Sequence, residues 1–318
     1  MRLAFRKTIV SRATLLSALL IPVGHSPAAA QTAPAAALVR YRVAPTETDS
    51  AIHRFTMANY VVFDRAVKAN APLLLFMPGT GGNPANTTDF LDVAAGQGYR
   101  VISLAYNDVP AVAQLCPRDR DPDCSAKVRR RRIYGDDATR LIDDTPAEAI
   151  VNRLAKLLAK LDRDHPNEGW GQYLGGTAPR WERIAVSGLS QGAGMAAFIA
   201  QKTRVARVVL FSSPWDNYGA GHTLAPWLGK GTGATPRESW FAAYHEKENT
   251  AGIIAQAYRA LGIPQSQIRV LTLEPARMAG DNPYHPSSVG NGGTPREPDG
   301  TPSYTAVWKF LLGQPNQQ

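Results

Sequence analysis

Short, nearly unbroken apolar runs alternate with helix-forming stretches along most of the chain, and this alternation narrows the fold more than any other feature. Residues 72–77, Pro-Leu-Leu-Leu-Phe-Met, end in the turn Pro78-Gly79-Thr80-Gly81-Gly82. An apolar run of that length reads as a strand buried on both faces, as in a parallel sheet. Residues 100–105, 183–187, 205–212, 239–245 and 268–273 read as further strands. Helices are expected at about 87–96, 145–165, 191–202, 250–261 and 304–312. The clearest opens on Thr145, Pro146 and Glu148 and carries Ile150, Leu154, Leu157, Leu158 and Leu161 at helical spacing, up to His165-Pro166. Asn86 is the expected cap of the helix at 87–96, and Gly98 its stop. Two extended runs, 51–57 and 60–64, are expected around a turn at Ala58-Asn59. The alternation implies an α/β domain, a mostly parallel sheet with helices on both faces.

The first thirty residues stand apart. Arg2, Arg6, Lys7 and Arg12 precede an apolar stretch at 13–23, and Ala28-Ala29-Ala30 supplies small residues for cleavage. This is the pattern of a secretory signal peptide, with a permanent N-terminal anchor as the alternative. Its removal would lower the net charge from +9 by four, to +5, a balance that calls for no nucleic-acid partner and leaves no stable membrane span. Residues 31–45 read as a flexible lead, and 46–318 as one domain. In an oxidising compartment Cys116 and Cys124, with seven residues between them, are expected to pair. They sit in a charged excursion over 106–144. Within it Asp119, Asp121 and Asp123 alternate like part of a calcium loop, but the glycine and terminal glutamate of such a loop are missing. The basic run Arg129–Arg132 reads as a solvated face, or else as a contact for an anionic substrate or envelope.

Gly188-Leu189-Ser190-Gln191-Gly192 lies between the strand at 183–187 and the helix at 191–202. A serine on a sharp strand-to-helix turn projects its hydroxyl, and glycine on either side relieves the crowding. At a helix N-terminus the backbone N–H groups also favour developing negative charge. With the apolar strand ending in Pro78–Gly82 and a late histidine, the chain resembles the α/β-hydrolase superfamily, closest to exported bacterial serine esterases and lipases. The resemblance runs from about residue 50 to the C-terminus. It implies Ser190 as nucleophile and the N–H groups of Gln191 and Thr80 as the oxyanion hole. His285, after the last strand, is implied as base; His222 and His245 are read as structural or pocket-lining. Glu248, in the turn after the strand at 240–244, is the implied acid, with Glu246 and Asp216 as alternatives.

These residues imply hydrolysis of a carboxylic ester, carried by a small molecule, a lipid or a polymer, through an acyl-enzyme and without cofactor or metal. A peptidase or amidase would use the same groups. A non-catalytic binding or envelope-interaction protein is the alternative from another class. Trp215, Tyr218 and Trp227 fall in a stretch, 214–236, that reads as a cap loop or as packing.

Overall fold

The apolar run at 73–77 occupies the middle of an eight-stranded sheet and is buried along its whole length. A computed structural model describes Ala4, residues 37–229 and residues 233–314. The expected signal peptide therefore lies outside the described residues, Ala4 apart. The strands, in chain order, are β1 Leu38–Val43, β2 Asn59–Asp64, β3 Leu73–Met77, β4 Arg100–Ser103, β5 Ile184–Leu189, β6 Arg207–Phe211, β7 Trp240–His245 and β8 Ile268–Leu271. They lie side by side as β1-β2-β4-β3-β5-β6-β7-β8. β2 is antiparallel to both its neighbours, and every pair from β4 to β8 is parallel.

The longer helices are α1 Thr88–Gly96, α2 Cys124–Tyr134, α3 Ile150–Asp164, α4 Gln191–Lys202, α5 Ala251–Ala260 and α6 Thr305–Leu312. Alternate side chains of β3 supply the two faces. Leu73, Leu75 and Met77 enter the core beneath α2 to α5, and Leu74 and Phe76 enter the core beneath α1 and α6. The second core is knit by Phe90, which packs edge to face on Phe211 (5.0 Å) and Trp308 (5.8 Å). Each such buried side chain contributes about 1.5–3 kcal/mol, so a strand apolar on both faces is worth most between two helical layers.

Three expectations fail near the N-terminus, and one carboxylate accounts for two of them. The segment 51–57 is not a strand: the N–H groups of His53 and Arg54 donate to Glu148 Oε1 at 2.8 and 3.0 Å. Arg153 pairs with the other oxygen of Glu148 and donates to the carbonyls of Arg54 and Phe55. Glu148 is thus drawn inward and does not cap a helix; α3 begins two residues later, at Ile150. The partner of β2 is instead β1, pairing Leu38 with Asp64 through Val43 with Asn59. The flexible lead therefore does not extend over 38–45.

The excursion at 106–144 contains α2 and holds the Cys116–Cys124 disulfide, with Cα atoms 5.6 Å apart. Its basic run is only half solvated. Arg130 is exposed and bonds Asp136, whereas Arg129 and Arg132, three apart on one helix face, are buried opposite Asp216 and Asp144. The oxygens of Asp119 and Asp121 accept N–H groups two residues onward, and Asp121 pairs with Lys127, so their use is in shaping the loop.

Candidate active site

β5 runs directly into α4 through Ser190, whose φ of 55° and ψ of −121° lie outside the ordinary regions for a residue with a side chain. Such a conformation costs on the order of 1–3 kcal/mol and persists only where its surroundings impose it. Here the Ser190 N–H donates to the Phe211 carbonyl at 3.0 Å, and the Ser190 carbonyl accepts from Gly194 at 3.1 Å. Glycines at 188 and 192 are required by space: a Cβ on Gly192 would run into the Met77 carbonyl, and one on Gly188 into the Gly192 backbone. The nucleophile candidate thus stands on a turn wedged against the end of β3.

The loop after β3 folds over the same point. Gly82 N–H closes a turn onto the Gly79 carbonyl at 2.8 Å, and Tyr106 hydroxyl donates to the Pro78 carbonyl at 2.8 Å. A Cβ on Gly79 would lie 3.2 Å from the Ser190 Cβ, so this backbone passes close to the serine. Asp108 fastens the loop from behind, its Oδ2 3.3 Å from the Gly82 nitrogen. Burial pushes the Asp108 carboxyl up to about 6, against the backbone N–H groups of Gly81 and Gly82, which pull it down. Gln191 is buried, and its side-chain amide ties the excursion to the start of α4. Its Oε1 accepts from Val112 N–H at 3.0 Å, and its Nε2 donates to the Asp108 carbonyl at 3.0 Å.

His285 sits on a one-turn helix, Tyr284–Ser287, after β8. Its Nδ1 lies 2.7 Å from Glu248 Oε2. The other Glu248 oxygen accepts from the Ser212 hydroxyl at 2.5 Å and from the His245 N–H at 2.8 Å, and the carboxylate is fully buried. Ser212, at the end of β6, has a φ of 52° and also approaches the Ser288 hydroxyl at 3.3 Å. Nothing in the local sequence marks it, since its role depends on the turn after the neighbouring strand. The indole of Trp215 packs edge to face on His285, with centroids 5.2 Å apart.

The other acid candidates are placed differently. Glu246 is exposed. Asp216 is buried and bound to Arg129, whose Nε and Nη2 donate to its two oxygens at 2.7 and 2.5 Å, with Trp227 Nε1 donating at 2.9 Å. His245 is buried, with Nε2 2.9 Å from the Leu273 carbonyl, and the exposed His222 contacts Asn217. In the expected cap stretch, Trp227 is core packing against Phe198, whereas Trp215 reaches the site. Two cavities open at Ser190. One, of ≈ 680 Å³, is lined by Ser190, Thr80 and His285; the other, of ≈ 50 Å³, by Ser190, Thr80 and Gln191.

No protein-family model matches the chain, and no curated protein does. Among solved structures it is similar to a Klebsiella pneumoniae protein described as a dienelactone hydrolase, at 13% identity and a TM-score of 0.43, over 89% of this chain and 100% of that one. It is similar also to a dienelactone hydrolase-like promiscuous phosphotriesterase from metagenomic libraries, at 12% identity and a TM-score of 0.41, over 87% and 99%. A Thermogutta terrifontis esterase matches at 12% and 0.40, over 76% and 81%. The strand order, the parallel core of the sheet and the strained strand-to-helix turn at Ser190 are the chain's own, and they are those of the α/β-hydrolase fold.

Proposed function

We propose that the chain is an exported serine hydrolase that cleaves carboxylic esters with Ser190, His285 and Glu248. Ser190 Oγ attacks the ester carbonyl while His285 Nε2 takes its proton. The tetrahedral oxyanion is held by the N–H groups of Gln191 and Thr80, each such donor being worth about 10²–10³ in rate. His285 returns the proton to the departing alcohol, leaving an acyl-Ser190. Water, deprotonated by the same imidazole, then releases the acid and restores the serine. Glu248 holds the Nδ1 proton of His285, which leaves the Nε2 lone pair facing the serine and stabilises the imidazolium as it forms.

The observation that carries this reading is the 2.7 Å contact between His285 Nδ1 and a fully buried Glu248 carboxylate, with His285 and Ser190 lining one cavity. Export is supported by the basic and apolar pattern of the first thirty residues and by a disulfide, which suits an oxidising compartment. Among the described residues no helix is long and apolar enough to cross a membrane. Turnover of p-nitrophenyl acetate tests the reading. Ser190→Ala and His285→Ala should each lower kcat by at least about 10³-fold while the fold is kept. Undiminished turnover in either variant would overturn it.

A further inference from the structure

The two cavities at Ser190 differ in size and in what faces them. His285 lines the ≈ 680 Å³ cavity and not the smaller one; Gln191 lines the ≈ 50 Å³ cavity and not the larger. An ester has two sides, and the reaction assigns each to a cavity. The departing alcohol oxygen must receive its proton from His285, so the alcohol belongs on the His285 side. The carbonyl oxygen must point at the Gln191 and Thr80 N–H groups; Thr80 lines both cavities, and Gln191 lines only the smaller. We propose that the smaller cavity is the acyl side, and that the substrate class is acetyl esters of bulky alcohols. This rests on the assignment of Ser190, His285 and Glu248 above.

Size is the first argument. At ≈ 50 Å³ the smaller cavity has less than a tenth of the ≈ 680 Å³ of the larger one, so the shorter side of an ester fits it. The second is that the walls cannot retreat. Arg129 and Asp216 line the cavity as a buried pair, 2% and 6% exposed, clamped to each other and, through Asp216, to Trp227. A longer apolar chain would have to strip or displace two buried charges from each other, which is costlier than losing a methylene contact. Trp215 closes the side toward His285, and Ala113 is also part of the wall. The larger cavity is of ordinary ligand size, and neither Arg129 nor Asp216 lines it.

Two isomeric esters with the bulk exchanged between the sides provide the test: cyclohexylmethyl acetate and methyl cyclohexylacetate. Both release an unactivated primary alcohol, so the leaving groups are closely matched. The proposal predicts that the acetate is favoured roughly tenfold or more in kcat/KM, the scale of a pocket's discrimination by size. Equal rates, or preference for the methyl ester, would overturn the proposal and leave the hydrolase reading standing. Failure to hydrolyse either isomer or p-nitrophenyl acetate would overturn both. Two variants provide ratios that do not depend on overall activity. Trp215→Ala should raise the butyrate-to-acetate ratio of p-nitrophenyl esters by roughly tenfold, and Ala113→Leu should lower the propionate-to-acetate ratio. Ratios unchanged in both would also overturn it.

Discussion

Replacing Glu248 by glutamine changes one atom, and the surroundings dictate where that atom goes. Glu248 Oε1 accepts two hydrogen bonds, from the Ser212 hydroxyl and the His245 N–H, in a site closed to water. A backbone N–H cannot become an acceptor, so the amide oxygen of the introduced glutamine must take the Oε1 position. The NH₂ then faces His285 Nδ1, 2.7 Å from the carboxylate in the parent. An NH₂ there donates, so Nδ1 must present its lone pair and the imidazole proton moves to Nε2. Nε2, the proposed base, then carries a proton where it needs a lone pair. Locking a catalytic histidine in the wrong tautomer costs about 10⁴ in kcat, or roughly 5 kcal/mol of barrier. Shape and volume are kept, so thermal stability should change far less than the rate. The assay is initial-rate turnover of p-nitrophenyl acetate by Glu248→Gln and by the exposed Glu246→Gln, with melting curves for both. Parent-like turnover in Glu248→Gln, or an equal loss in Glu246→Gln, would rule out Glu248 as the group that orients His285.

Other consequences follow from the buried charges. The Asp108 carboxyl is raised from 3.8 to about 6, so between those values the folded state holds more protons than the unfolded chain. Stability therefore falls as pH rises through that window, by up to about 3 kcal/mol. Asp108→Asn removes the titration; urea unfolding at pH 4.5 and 7.5 should show the variant gaining on the parent toward pH 7.5, and a constant gap would contradict this. Arg129→Met strands Asp216 in the core and should cost about 3–5 kcal/mol, while Arg129→Met with Asp216→Leu should regain most of it in denaturant melts. Gly192→Ala drives a Cβ into the Met77 carbonyl and should destabilise by about 3 kcal/mol or more, in contrast to Gly229→Ala, where the space is open.

The central strands were legible because burial on both faces leaves an unbroken apolar run; β3, β5 and β6 start and stop within two residues of where that run does. The edge was not. β1 reads Leu-Val-Arg-Tyr-Arg-Val, half exposed, and becomes a strand by pairing with β2, while 51–57, which reads as extended, is claimed by Glu148 from far along the chain. The turn at Ser190 was visible because strand, glycines and helix are contiguous. What separates Glu248 from Glu246 and Asp216 is not contiguous: burial, the Ser212 hydroxyl from the next strand, and an arginine 87 residues away that occupies Asp216. Likewise, a run of four basic residues gives no sign that two of them turn inward, because their carboxylate partners are set by packing.

If Ser190 Oγ is an activated nucleophile at the mouth of an open cavity, it reacts with an electrophilic phosphonate. Peptide mapping by mass spectrometry after exposure to a fluorophosphonate measures this directly. One adduct per chain is expected, on Ser190, absent in Ser190→Ala and slowed in Glu248→Gln. Folded protein that takes up no label, or that carries it on another residue, would show that Ser190 is not the nucleophile.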